Sequence, residues 1–180
     1  KVLTGINPLM FLRKMREPML VAFSTSSSGA TLPVTLRTVE HRIGVNNNVA
    51  AFAVPLGATI NMDGTAIMQG VATVFIAQFF GYQLGVDALL MVVLTATLAS
   101  IGTAAVPGVG LITLTLVLDQ VGLPVEGIGL IIGVDRLLDM LRTVVNVTGD
   151  GTVATIVAKT EGQLDLETLQ NPTAGAVAET

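Results

Sequence analysis

Residues 88–118 read ALLMVVLTATLASIGTAAVPGVGLITLTLVL, without one charge, fenced by Asp87 on one side and by Asp119 and Glu126 on the other. A helix needs about 20 apolar residues to cross a hydrocarbon core of about 30 Å, and the run is long enough for that. Its centre, however, is Ser100-Ile101-Gly102-Thr103-Ala104-Ala105-Val106-Pro107-Gly108-Val109-Gly110. Glycine and proline in this density stop a helix and leave two arms that are each too short to span. The stretch is therefore expected to enter a membrane and return to the same side, as a re-entrant helical hairpin over about 86–122.

The rest of the chain agrees with a membrane setting. Of its 180 residues, 51% are apolar and only 12% charged, with a mean hydropathy of +0.74. A soluble domain carries about 25% charged residues, and disordered chains combine low hydrophobicity with high charge; both classes are disfavoured. Cysteine is absent, which removes disulfides, thiolate metal sites and cysteine nucleophiles together. A net charge of −4 and the lack of a basic patch speak against nucleic acid as a partner. Because the chain begins at Lys1, with neither an initiator Met nor a signal peptide, it is expected to be a piece of a longer protein.

Orientation follows from the basic residues, which favour the cytoplasmic side of short loops. Lys1, Arg13, Lys14, Arg16, Arg37 and Arg42 crowd the first quarter, and the next is Arg136. Pro18–Thr35 lies between basic residues and is too short to cross and return as two full helices. It is expected to be the core of a first re-entrant hairpin, about 8–38, entering from the cytoplasm with the small, hydroxylic tip Ser24-Thr25-Ser26-Ser27-Ser28-Gly29. Asn46-Asn47-Asn48 looks like a cap for a helix over about 44–84, which Asn61-Met62-Asp63-Gly64-Thr65 interrupts at mid-span. A last helix, about 127–158, returns to the cytoplasm, and 161–180 is expected to be a polar, disordered cytoplasmic tail. The fold class is thus an all-α membrane protein: over 1–160, an inverted repeat of two re-entrant hairpins and two transmembrane helices, one of them broken. Broken segments in corresponding positions of inverted repeats mark a secondary transporter with its site at mid-membrane. The expected location is the cell (inner) membrane, with several passes through the lipid bilayer.

Within the last helix, Asp135, Asp139, Arg142, Asn146 and Asp150 recur every three or four residues. At about 100° per residue they fall within about 80° of arc on one face. An ionisable residue at membrane depth costs about 2.5–3.5 kcal/mol on insertion scales and by default marks function. Arg142 offers a planar fork for a carboxylate, Asp139 a partner for an ammonium, and Asp150 and Asn146 hard oxygens for an alkali cation. The plain alternative is that Asp139 and Arg142 merely neutralise each other. Asp63 and Asn61, with unwound carbonyls, would make a further cation site, against the alternative of a charge at a helix end near water. The serine cluster, by its position at a buried hairpin tip, is expected to serve the substrate, against the alternative of an ordinary flexible loop, and His41 is a surface residue at the membrane edge.

At these residues the chain resembles the dicarboxylate/amino acid:cation symporter family, the glutamate and aspartate transporters. Thr25-Ser26-Ser27-Ser28-Gly29-Ala30-Thr31-Leu32-Pro33 is similar to the family's first hairpin tip, and Asn61-Met62-Asp63-Gly64-Thr65 to its interrupted helix. Ala99 to Gly108 resembles its second hairpin tip, which gates the substrate, and Asp139 to Asp150 its last helix. The match covers about residues 1–163, as a C-terminal transport-domain fragment. The resemblance implies substrate contacts at Ser27, Ser28, Thr65, Val106, Gly110, Asp139, Arg142, Thr143 and Asn146, with Arg142 on the side-chain carboxylate and Asp139 on the α-amino group. It implies three sites for co-transported sodium: Gly57, Asn61, Asn146 and Asp150; Thr59, Met62, Ser100, Ile101 and Thr103; and Asn61 with Asp63. It also implies a homotrimer whose transport domains slide like elevators against scaffold helices that this chain lacks.

Members of the family carry an arginine at the position of Ser26 or of Met140, and this chain has neither; Arg136, one turn before Met140, is a candidate substitute. Ala105 stands where a glycine is usual. The function expected is sodium-coupled symport of an acidic amino acid, aspartate or glutamate. Asp139 argues against a plain C4-dicarboxylate, Arg142 against small neutral amino acids, and Asp150, where proton-coupled members tend to have Asn, against proton coupling. Two readings stand outside that class. A membrane-embedded serine hydrolase lacks a His near its serines, so no enzyme is expected; a truncated, non-transporting membrane module would be told apart by the sequence upstream.

Overall fold

The computed structural model describes residues 5, 7–101 and 103–175. Lys1, Gly102 and the tail beyond Gly175, all used in the sequence reading, lie outside the described residues. Ten α-helices follow in order: α1 (Pro8–Lys14), α2 (Arg16–Thr25), α3 (Ser28–Thr38), α4 (Asn47–Ile60), α5 (Asp63–Phe79), α6 (Val86–Ser100), α7 (Val109–Gln120), α8 (Gly129–Ile132), α9 (Asp135–Thr160) and α10 (Leu166–Gln170). A π-helical turn, Val39–Ile43, joins α3 to α4, and a 3-10 turn, Val125–Ile128, leads into α8. The described residues are helical in every long element, as the all-α reading requires.

Local chemistry accounts for the ends. Asn46 caps α4 by accepting from the Asn48 amide at 2.9 Å, and Ser27 caps α3 by accepting from the Ala30 amide at 3.1 Å, which is what short oxygen-bearing side chains do for orphan amides. Asn61 and Met62, at φ/ψ −91/73 and −103/48, break the helical path between α4 and α5, and Asp63 opens α5 where its charge opposes the positive end of the helix dipole.

Two helical pairs, α2–α3 and α6–α7, are the first and second hairpins. The first packs on α4 and α9, the second on α5. Each has its own core. One gathers Met15, Ala22, Val39, Ile43, Val54, Val147 and Ala154; the other gathers Met68, Ile76, Val92, Leu114, Leu118 and Ile131. The helix α9 runs beside α4 with Ala50, Ala53, Ala154 and Ala158 all buried, small residues of the kind that bring helix backbones close where no hydrophobic effect assists. Large apolar side chains instead point outward: Phe52, Ile67, Leu90, Ile112 and Leu141 are all exposed. So extensive an apolar outer shell calls for a lipid or protein cover.

Three expectations are corrected. No helix among the described residues is long and apolar enough to cross a membrane alone. The helix expected over 44–84 is divided into α4 and α5, and α9, with its 26 residues, carries Asp135, Arg136, Asp139, Arg142, Asp150 and Lys159. The helix expected as one piece over 127–158 is divided, because Gly127, Gly129 and Gly133 weaken its first part, and α9 proper starts at Asp135. The tail is not disordered between 163 and 170. Leu164 bridges Val45, and α10, capped by Asp165, buries Leu169 to 3% exposure in the first core.

Candidate functional site

The tips of the hairpins meet. The Ser27 hydroxyl donates to the Ala105 carbonyl at 2.6 Å, and the Gly29 amide donates to the same oxygen at 3.3 Å. Beneath this contact lies a cavity of about 20 Å³ whose walls come from both tips, from the α4–α5 break and from the polar face of α9. Ser28, Thr65, Val106, Gly110, Asp139, Arg142, Thr143 and Asn146 line it, and so do Met62, Ala104, Ala105 and Val109. Eight of the nine residues expected to touch substrate are therefore brought to one place. Ser27 is not on the wall; it caps α3 and ties the tips instead.

Arg142 and Asp139 are both 5% exposed. The Arg142 Nε donates to Asp139 Oδ1 at 2.7 Å, and Nη1 lies 3.3 Å from Asp135 Oδ1. Nη1 is thus ion-paired with Asp135, while Nη2 has no hydrogen-bond partner, so the guanidinium is held by two carboxylates and one of its ends stays uncommitted. The other oxygen of Asp139 accepts from the Gly108 amide at 2.8 Å, which draws the second tip down over the cavity. Gly110 permits the approach: a Cβ there would stand 2.7 Å from Arg142 Nη1. Gly64 does the same for α5, since its missing Cβ would fall on the backbone of Arg142. Asn146 stitches the break to α9, its Oδ1 accepting from the Gly64 amide at 2.7 Å and its Nδ2 facing Thr65 Oγ1 at 3.4 Å and Met62 Sδ at 3.5 Å.

The oxygens proposed for cations divide into groups. Asn61 Nδ2 donates to Asp150 Oδ1 at 3.0 Å, and Gly57 leaves the room that Asp150 fills, a Cβ there meeting Oδ1 at 2.7 Å. Gly57, Asn61, Asn146 and Asp150 are thus neighbours. Asn61 and Asp63 converge over Gly149. The remaining set is looser: Met62, Ser100 and Ile101 share a groove with Asn61 and Asp63, whereas Thr59 is exposed and donates to Leu56 O, and Thr103 donates to Ala99 O. All are carboxylate, amide, hydroxyl and carbonyl oxygens, which suits an alkali cation and not a transition metal.

Ser26, named in the sequence reading for its place in the serine run and as a position where family members carry an arginine, was not among the expected substrate contacts. It lines the cavity, is 2% exposed, and its hydroxyl is buried without a partner. It is also the one non-glycine residue at positive φ among the described residues, at +53°. The sequence reading passed over Gln69: buried, it donates to Thr113 Oγ1 at 2.6 Å and to Gly110 O at 3.3 Å, joining α5 to the second hairpin.

An all-helical chain whose breaks enclose a buried arginine–carboxylate pair has the build of a transport protein's binding core. Comparison with known proteins agrees. The sodium:dicarboxylate symporter family matches residues 1–160, and the chain belongs to that family. It is 51% identical over 156 residues to an excitatory amino acid transporter of Caenorhabditis elegans, covering 87% of this chain and 31% of that protein. It is 49% identical over 156 residues to excitatory amino acid transporter 2 of Homo sapiens and 46% over 157 residues to excitatory amino acid transporter 5 of Mus musculus; each alignment covers 87% of this chain, with 27% and 28% of those proteins. The chain thus spans less than a third of the length of these curated relatives.

Proposed function

We propose that the chain is the substrate- and ion-binding core of a secondary transporter that carries an acidic amino acid, aspartate or glutamate, together with sodium ions. The observation that carries this reading is the Arg142–Asp139 pair, buried where three chain breaks converge. A buried charge left alone is costly, and a pair stays tolerable only while both partners are compensated. An amino acid with a side-chain carboxylate offers both replacements at once: that carboxylate takes the guanidinium of Arg142, whose Nη2 has no hydrogen-bond partner, while the α-ammonium takes Asp139. At these two side chains the site exchanges one ion pair for two. A C4-dicarboxylate lacks the ammonium, and a small neutral amino acid lacks the second carboxylate.

Between the joined tips the cavity offers about 20 Å³, room for little more than a water. Admission of substrate therefore requires the tips to part, and the contacts that must break are the Ser27–Ala105 and Gly108–Asp139 hydrogen bonds. Sodium ions held by Gly57, Asn61, Asn146 and Asp150, by Asn61 and Asp63, and by Met62, Ser100, Ile101, Thr59 and Thr103 would organise the same breaks, which couples ion and substrate. On this reading the transport domain moves as an elevator in a homotrimer, against scaffold helices supplied outside this chain. The relatives' names and the exposed apolar shell support placement in a lipid bilayer.

The test is calorimetric binding of aspartate and glutamate to the protein in sodium and in sodium-free buffer, with Arg142→Ala alongside. Sodium-dependent binding that the substitution abolishes supports the reading. Equal affinity without sodium across pH overturns the ion, and unchanged aspartate affinity in Arg142→Ala overturns the pocket.

A further inference from the structure

The side chain of Lys14 is 1% exposed, and its ammonium donates to Arg42 O at 2.5 Å and to Thr168 O at 2.7 Å. No carboxylate pairs with it among the described residues, so an entire charge is buried on two carbonyls. Both are terminal carbonyls, one closing the π-helical turn and one in the last turn of α10, where unsatisfied oxygens and the negative helix end favour a cation. The residues around it form a second layer of the same fastening. The Asp165 amide donates to Gly44 O at 2.8 Å, the Asn46 amide donates to Gln163 O at 3.0 Å, and Leu169 packs into the first core. Gly44, at φ +89°, leaves the seat open, since a Cβ there would lie 2.7 Å from Asp165 O.

These contacts join the beginning of the first hairpin (Lys14), the turn that ends it (Arg42 to Val45), the start of α4 and the segment that follows α9. The second hairpin has nothing comparable. Asp87 at the start of α6 and Asp119 at the end of α7 are exposed and form no ion pair among the described residues.

We propose that residues 163–170 are a strap that locks the base of the first hairpin, with the Lys14 ammonium as its bolt, and so hold the Ser26–Ser28 tip as the fixed wall of the cavity. The strap concerns the footing of the hairpin and stands whatever ligand the site takes.

The absence of cysteine in the described chain makes the test direct. Ala22, at 0% exposure on α2, and Ala96, at 2% on α6, are replaced one at a time by cysteine in the protein held in lipid nanodiscs, and the rate of maleimide labelling is measured. Lys14→Met, or removal of residues 161–180, is expected to raise labelling of Ala22→Cys by about tenfold or more, the change in opening that loss of a charge-assisted hydrogen bond brings, with Ala96→Cys unchanged. An unchanged rate at Ala22→Cys after truncation overturns the proposal. So does an equal rise at both cysteines, which reports general loosening. Should Lys14→Met fail to fold, the truncation decides alone.

Discussion

The Nε of Arg142 and the Oδ1 of Asp139 lie 2.7 Å apart, one helical turn from each other on α9, with both side chains buried. Asp135, 3.3 Å from Nη1, adds a second carboxylate, so the chain supplies the counter-ions of its own buried arginine.

Removing one member should show the cost of the other. Arg142→Ala leaves Asp139 with only the Gly108 amide, and loss of one partner of a buried pair costs about 3–5 kcal/mol. The expected result is a lower unfolding temperature together with loss of the preference for acidic over neutral amino acids. Thermal unfolding and calorimetric titration check the two effects. Arg142→Lys, which keeps the charge but not the fork, should recover stability more than affinity.

Asp150→Asn should weaken the dependence on sodium. Asp150 is 2% exposed and accepts from Asn61 at 3.0 Å, so it supplies the one full negative charge among Gly57, Asn61, Asn146 and Asp150. Neutralising it removes the strongest attraction for a monovalent cation, and the sodium concentration for half-maximal aspartate binding should rise by about tenfold or more, as for loss of one charged contact. Titration with sodium at fixed aspartate measures it.

Ser26→Gly should stabilise the protein. A left-handed conformation costs a non-glycine residue about 1–2 kcal/mol, and the buried, unpartnered hydroxyl adds a desolvation cost that glycine lacks. The expected gain is about 1 kcal/mol, read by thermal unfolding without ligand. If the hydroxyl finds its partner on a bound substrate, the same variant will bind aspartate more weakly, so stability and affinity should move in opposite directions.

Acid should release the strap. Hydrogen bonds from the Thr168 hydroxyl and amide and from the Glu167 amide hold the Asp165 carboxyl below its ordinary value of 3.8. A carboxyl whose folded value is depressed contributes stability above the unfolded value, and that contribution disappears as pH falls through the folded one. The strap should therefore stay seated from neutral pH down to about 4 and loosen below it. Hydrogen exchange of the Leu169 amide, which donates to Asp165 O at 3.0 Å, follows this, and Asp165→Asn should flatten the pH dependence.

Much of this architecture was legible in particular residues. The Gly/Pro cluster at 102–110 announced a break, and Asn61-Met62-Asp63-Gly64-Thr65 another, because helix interruption is a local property of the residues at the interruption. The spacing of Asp135, Asp139, Arg142, Asn146 and Asp150 placed them on one face for the same reason. Gly133 was a weaker signal than the 3.6-residue pattern around it, and the division between α8 and α9 went unread. The strap was misread because its sequence is polar; what seats it is one leucine and a lysine 154 residues away along the chain.

The sequence by itself determined where the main breaks fall and on which face of α9 the polar residues would stand, since these depend on neighbours within a turn or two. Only the tertiary structure decided which breaks meet, that Ser27 ties the tips while Ser26 faces the cavity, and that Lys14 belongs to the C-terminal segment. A helical period fixes a face but neither its rotation against a partner nor the depth at which two elements touch. Those are set by close packing, here by Gly64, Gly57 and Gly110, whose missing side chains let Arg142 and Asp150 come within bonding distance of the breaks.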